Sequence, residues 1–370
     1  MKKVKIGIIG CGHISNAYFN AAKRFDILDV VACADINPAA AKAKAEEHKT
    51  KAVTVNKLLA DPSIEIVINL TIPKAHAEIA LKTLDHGKHA YSEKPFAVTC
   101  DEGKKIIASA KAKKLLVGCA PDTFLGGGQQ TCRKLIDDGW IGRPVGGTAL
   151  FMGYGPERYY HPSPKFFYEK GAGPMFDLGP YYITALVNLL GPAKRVCAIT
   201  TKAFKERTAG PQALIKREKI PVAVPTHLAG VIEFNNGAVI NVITSFDVWK
   251  HTHSPIEIYG TEGSLFVPDP NTFGGPVKVA VGGRSDVTIS ECPLSHIYTE
   301  NSRSIGAADM AYALQSGRKH RCNGALAYHV LEIMESFEKS SITGKHIELA
   351  STCERPAALP LGLQDGLLDL

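Results

Sequence analysis

Along roughly the first 120 residues, short continuous apolar runs alternate with segments whose apolar positions recur at helical spacing. Strands are expected over 4–9, 30–34, 52–55, 64–70, 88–92 and 115–119. Helices are expected at about 14–24, from Asn37-Pro38 onward, at 75–86 where Gly87 stops the chain, and at 101–112. Strands that are apolar without alternation, separated by helices, predict a parallel sheet covered on both faces. Beyond residue 122 the pattern changes. A helix at 129–138, a Gly- and Pro-rich stretch at 142–147 and an aromatic loop at 154–168 lead to a helix at about 174–190. Strands then dominate, at 196–202, 228–234, 238–245, 256–259, 264–267 and 277–281, before helices at about 302–316 and 324–341. Asn235-Asn236-Gly237 lies between two of these strands and reads as a hairpin turn, because Asn and Gly accept positive φ at little cost.

The fold class is therefore α/β. A Rossmann-type doubly wound sheet over 1–122 precedes an α+β domain over 123–370 with a large, mostly antiparallel open sheet. In the hairpin, Val231, Val239 and Ile243 face one way and Ile232, Phe234, Ile240 and Val242 the other. Apolar residues on both faces require cover on the second face too, from helices or from another subunit.

Composition narrows the function without naming it. Apolar residues make up 45% and charged residues 21% of 370, which excludes bulk disorder. The excess of 43 Lys+Arg over 36 Asp+Glu gives +7, spread along the chain rather than gathered in a stripe, so no nucleic-acid partner is expected. No apolar run approaches the length of a membrane span, and the amino terminus reads as a first strand, not a signal peptide. Nine isolated cysteines without a CxxC motif point away from zinc and toward a reducing cytoplasm.

Gly10-Cys11-Gly12-His13-Ile14-Ser15 follows the first strand and opens the first helix. Gly10 permits a tight turn, Gly12 lets a pyrophosphate approach the backbone, and free N–H groups near His13 and Ile14 face the anion. Asp35, about twenty residues on at the end of the second strand, is placed to accept from the ribose hydroxyls. It would repel a 2′-phosphate, so the cofactor expected is NAD, with NADP disfavoured. Ser92-Glu93-Lys94-Pro95 ends the fifth strand on the edge where open parallel sheets bind ligands, which brings Lys94 near a bound nicotinamide.

Together with Thr71-Ile72-Pro73-Lys74-Ala75-His76 and Gly171-Ala172-Gly173-Pro174-Met175-Phe176-Asp177-Leu178-Gly179, these motifs resemble the Gfo/Idh/MocA oxidoreductase family, in order and spacing, across most of the chain. The resemblance implies an NAD(P) domain, a substrate domain whose open sheet forms the subunit contacts of a homo-oligomer, dimer or tetramer, and substrates among sugars, inositols and related polyols. Lys94 matches the family's proton-transfer lysine and Asp177 its substrate-domain aspartate. Tyr181 stands four residues after Asp177, where many members carry histidine. Thr71, Pro73 and Glu93 fall in the cofactor-side motifs. His76 either approaches the cofactor ribose or caps its helix.

The reaction expected is hydride transfer between a secondary hydroxyl of a sugar, glycoside or cyclitol and NAD. Lys94 would be partly neutral near pH 7 and take the proton, with Tyr181 relaying it and Asp177 orienting the amine or gripping a hydroxyl. For Tyr181 a core aromatic is the alternative. His161 and Lys165, in the aromatic loop, are candidate substrate contacts, with loop packing as their alternative; His251 and His253 read as surface histidines rather than metal ligands. Two other functions compete: an NAD-dependent glycosidase working by transient oxidation and elimination, and a non-catalytic NAD-binding regulator.

Overall fold

In the computed structural model, which describes residues 2–158, 163–282 and 287–369, β1 (Val4–Ile9) lies at the centre of the amino-terminal sheet. Around it β2 (Leu28–Ala34), β3 (Lys51–Ala52), β4 (Ile66–Asn69), β5 (His89–Ser92) and β6 (Val117–Cys119) pair in parallel, in the order β3-β2-β1-β4-β5-β6. The order reverses between β1 and β4, so the strands' carboxyl ends open a crevice there. Helices α1 (Ser15–Arg24), α2 (Pro38–His48), α3 (Val55–Ala60), α4 (Pro73–Asp85) and α5 (Cys100–Lys113) connect the strands. The third strand is shorter than its apolar run suggested. Thr54 accepts a hydrogen bond from the Lys57 amide at 3.3 Å and so caps α3, which turns Val55 into the first residue of a helix.

Among the described residues the second sheet has nine strands. In chain order they are β7 (Pro144–Met152), β8 (Ala193–Thr201), β11 (His227–Phe234), β12 (Val239–Ser245), β13 (Ile256–Gly260), β14 (Gly263–Val267), β15 (Val277–Val281), β16 (Ser290–Cys292) and β17 (Ile347–Glu348). Two short strands, β9 (Glu206–Thr208) and β10 (Lys219–Pro221), form a separate hairpin. Every neighbouring pair in the large sheet is antiparallel except β7 and β12. Ile232, Phe234, Ile240 and Val242 are buried beneath α8 (Gly179–Leu190) and α10 (Gly324–Thr343). The opposite face is open: Ile199 is 72% and Val239 42% exposed, with Val231 and Ile243 beside them only partly covered.

The carboxy-terminal segment straps the two parts together. Arg24 pairs with Asp365 at 2.6 Å, the Tyr298 hydroxyl donates to the Leu367 carbonyl at 2.5 Å, and the Leu359 amide donates to Gln130 at 2.8 Å. Among the described residues no helix is long and apolar enough to cross a membrane, and all nine cysteines are unpaired thiols.

Candidate active site

The glycine loop after β1 is shaped for close approach of a ligand. Gly10 has φ of +103°, and a Cβ there would stand 2.5 Å from the Leu70 carbonyl oxygen, so glycine is obligatory. A Cβ at Gly12 would meet nothing within 4 Å; the space above it is open. α1 starts with no side-chain cap and no acidic residue in its first turn, which leaves its positive end and free N–H groups facing that space beside exposed His13 and half-buried Ile14. Asp35 accepts from the Cys11 amide at 2.7 Å and from the Asn37 amide at 2.7 Å, which ties its carboxylate to the loop. Ile36 beside it is 98% exposed. A dinucleotide fits this cradle: space for a pyrophosphate, donors for its charge, a carboxylate and an apolar surface for the adenosine.

Lys94 and Asp177 meet across the domain boundary. The Lys94 ammonium donates to Asp177 Oδ1 at 2.9 Å and to the Asp177 carbonyl at 2.7 Å. That carbonyl is available because the helix expected over 174–190 is broken. α7 (Gly173–Asp177) ends before Leu178, and α8 begins with Gly179-Pro180. Pro180 has no N–H to give to the Phe176 carbonyl and its ring disfavours a continuous helix, and the Tyr181 amide, which a continuous helix would direct to Asp177, donates to the Leu178 carbonyl at 3.0 Å. Tyr181 is the third residue of α8, and Lys94 Nζ lies 5.2 Å from its ring centroid. The break therefore supplies both a carbonyl for the lysine and a ring beneath it.

Lys94 is held from behind by Glu93, whose two oxygens accept from the buried Tyr18 hydroxyl at 2.7 Å and from the Lys94 amide at 2.9 Å. Both oxygens are thus engaged within the protein, in a turn with a cis Lys94–Pro95 peptide. His76 is buried, its Nδ1 2.7 Å from the Pro95 carbonyl and its Nε2 2.9 Å from the Thr71 carbonyl. It links the Thr71–Pro73 loop to the lysine turn instead of capping α4. Burial lowers its pKa, against the pull of the two carbonyls. Thr71 donates to Asn69 at 2.7 Å, and Pro73 starts α4 beside exposed Ile72.

The charge state of Lys94 differs from the sequence expectation. Burial alone would lower its pKa, but Asp177, Tyr181 and Glu93 together hold it above the ordinary lysine value. The protein's own groups therefore keep the amine protonated rather than partly neutral near pH 7. Tyr181 moves upward as well: burial raises its pKa, against the opposing pull of Lys94 and Arg303. A protonated lysine and a neutral tyrosine side by side form a proton-donating pair.

Lys165 makes a half-exposed surface ion pair with Glu218 at 3.3 Å, which engages its charge within the second domain. His161 lies outside the described residues. His251 and His253 stack with centroids 6.1 Å apart, and no group of three candidate metal ligands occurs among the described residues. Lys74 reaches across to Glu169 and joins the start of α4 to the second domain. Two groups near the site carry no sequence motif. Asp122, after the sixth strand, is buried, which raises its pKa to about 6. Arg303, from a loop far along the chain, donates to Asn271 and Asn301, and its charge opposes the upward push of burial on Tyr181.

Comparison with known proteins identifies the family and the fold. Residues 4–120 match the family model described as oxidoreductase family, NAD-binding Rossmann fold, and 129–266 match the GFO/IDH/MocA C-terminal domain. Levoglucosan dehydrogenase of Pseudarthrobacter phenanthrenivorans is 27% identical over 286 residues, 72% of this chain and 73% of its own. The 1,5-anhydro-D-fructose reductase of Ensifer adhaerens is 26% identical over 268 residues, 70% of this chain and 74% of its own. A solved structure of levoglucosan dehydrogenase in complex with NADH superposes with a TM-score of 0.82 at 23% identity, covering 95% of this chain and all of that one (100%), and shares its fold. The two domain matches in sequence, joined by a parallel sheet, a glycine cradle and a lysine–aspartate pair, make the chain a member of the GFO/IDH/MocA oxidoreductases with an NAD-binding Rossmann domain.

Proposed function

We propose that the protein interconverts a secondary hydroxyl and a ketone on a sugar, glycoside, anhydrosugar or cyclitol, with NAD as partner. The observation that carries this reading is the double hydrogen bond from Lys94 to Asp177 at the carboxyl edge of the parallel sheet. Gly10, Gly12, His13, Ile14, Asp35, Thr71 and Pro73 hold the cofactor, with Glu93 and His76 fixing the turn that carries Lys94. When bound, the nicotinamide supplies the hydride acceptor or donor. Lys94 gives its proton to the substrate oxygen in the reducing direction and receives one in the oxidising direction. Asp177 aims the ammonium, and Tyr181 hydrogen-bonds the same oxygen.

The relatives named above act on an anhydrosugar and on an anhydroketose, which supports a carbohydrate substrate. Residues 1–122 serve the cofactor, and 123–370 serve the substrate and subunit contact. The open face carrying Ile199, Val231 and Val239 suits a second copy of the chain. Nine unpaired thiols suit a reducing cytoplasm.

The test is a spectrophotometric panel of levoglucosan, myo-inositol, D-glucose and a nitrophenyl glycoside with NAD or NADP, and of 1,5-anhydro-D-fructose with NADH. Reduction or oxidation of the nicotinamide with NAD preferred supports the reading. Release of nitrophenol without net NADH points instead to oxidation and elimination. A protein that binds NADH and turns over nothing in the panel overturns it.

A further inference from the structure

The loops that follow β7 and β12 hold two aromatic rings in a fixed stack. Tyr154 and Trp249 lie with ring centroids 3.6 Å apart and planes inclined by only 13°. The backbone joins the two loops: Tyr154 bridges to Asp247, the Gly153 amide donates to the Ser245 carbonyl at 3.0 Å, and the Val248 amide donates to the Gly153 carbonyl at 3.1 Å. Arg207 lies 4.9 Å from the Tyr154 centroid. Its guanidinium is almost wholly buried, donates to Glu157 at 3.2 Å and to the Phe246 carbonyl at 3.0 Å, and pairs with Asp247. Three largely buried charges are costly to desolvate, and here they fasten both loops under the stack.

Trp249 nevertheless stays 68% exposed. Arg158 stands 5.0 Å from the Tyr154 centroid and 5.2 Å from that of Trp249. Nearly equidistant from two rings so closely stacked, it lies at the side of the pair and not on the outer face of the indole. A rigid apolar face with a charged donor at its edge suits a sugar ring, whose C–H face packs on the indole while its hydroxyls accept from the guanidinium. The residues that follow, Lys250-His251-Thr252-His253, are polar, so the indole stands as a single platform rather than in the broad apolar patch that a protein partner covers.

The platform lies beside the reaction site. α7, which carries Asp177, packs on β12. On β7 the Phe151 ring lies 6.2 Å from that of Tyr182, the neighbour of Tyr181, and Tyr154 follows three residues on, at most about 10 Å of extended chain. We propose that Trp249, stacked on Tyr154 and flanked by Arg158, is an outer subsite for a second sugar ring, the one glycosidically linked to the ring that exchanges hydride. The proposal rests on the carbohydrate reading above and deepens it: the substrate is a disaccharide or longer glycoside rather than a free monosaccharide.

The test reads binding and turnover separately. Trp140→Phe leaves Trp249 as the one tryptophan of the chain, so its emission reports the subsite without any reaction. The full chain saturated with NAD is titrated with maltose, cellobiose, trehalose and D-glucose. At least one disaccharide should change the emission saturably, at concentrations where glucose does not, and Arg158→Ala should weaken that affinity. With whichever disaccharide is oxidised, Trp249→Ala should reduce the preference in kcat/KM for it over glucose by about tenfold, and Trp249→Phe, which keeps a ring, should retain part of that preference. Emission unmoved by every disaccharide, or moved equally by glucose, overturns the proposal. A lower mass of Trp249→Ala in light scattering also overturns it, by assigning the indole to a contact between subunits. Oxidation of monosaccharides without a disaccharide response leaves the dehydrogenase reading standing and removes the subsite. Saturable disaccharide binding without turnover of any sugar keeps the subsite and fails the dehydrogenase reading.

Discussion

At the scale of single residues, two glycines two positions apart have opposite requirements. A Cβ at Gly10 would collide with the Leu70 carbonyl at 2.5 Å, at a φ that side chains avoid, so Gly10→Ala should lower stability by roughly 1–3 kcal/mol in thermal or denaturant unfolding without any ligand. A Cβ at Gly12 meets nothing in the chain, so Gly12→Ala should unfold like the wild type yet bind NADH more weakly by calorimetry. Lys94 makes a prediction about pH. Because Asp177, Tyr181 and Glu93 outweigh burial and hold its pKa above the ordinary value, the amine stays charged through neutral pH. Reduction, which uses the charged form, should show no Lys94-dependent fall up to about pH 10, whereas oxidation, which needs the neutral form, should keep rising with pH. Asp177→Asn removes a principal charge stabilising the ammonium, so the rising limb of the oxidation profile should move to lower pH. Lys94→Ala should cost about 10²–10⁴ in turnover while NADH affinity survives.

At the scale of elements, the sequence showed most where apolar pattern and punctuation coincide. The six parallel strands, the glycine cradle and Asp35 follow from continuous apolar runs ended by Gly or Asp. The break between α7 and α8 was written in Gly179-Pro180, but an apolar helical period on both sides concealed it. Its consequence, a free carbonyl for Lys94, is invisible in one dimension. The short third strand lost Val55 to a Thr54 cap, a local contest that hydrophobicity does not register. Asp122 and Arg303 carry no motif because they work through contacts between distant segments. The joint of α10 with β8 offers a test of element stability. His329 is buried, accepts from the Ala193 amide at 3.0 Å and lies 2.8 Å from the Ser351 hydroxyl, and burial lowers its pKa to about 4. The unfolded chain takes up this proton below about pH 6.5 while the folded one resists, so stability is full above pH 6.5 and falls as pH drops toward 4. The loss attributable to His329 should be on the order of 3 kcal/mol, and His329→Gln should flatten that part of the curve in denaturant titrations.

At the scale of the whole molecule, two sheets divide the work. The parallel sheet places a cofactor cradle and a lysine on one edge, and the mixed sheet buries one face under α8 and α10 while leaving the other open. On that open face β8 places Ile199 opposite Ala229, which in turn pairs with Ile243 on β12. A flat apolar row across adjacent strands is a surface that a second subunit would cover. Ile199→Asp together with Val231→Lys should leave each chain folded by circular dichroism and halve the mass measured by light scattering. An unchanged mass would place any subunit contact elsewhere.

The central claim is that Lys94, aimed by Asp177, meets the substrate oxygen beside the nicotinamide. A crystal structure of the protein with NADH measures this directly through the separation between Lys94 Nζ and the reactive ring carbon. With a reacting atom in near-attack range of both, roughly 3–3.5 Å from each, the two should border one shared space, with the ammonium still on Asp177. A lysine turned out to solvent, or a nicotinamide seated away from the carboxyl ends of β4 and β5, would contradict it.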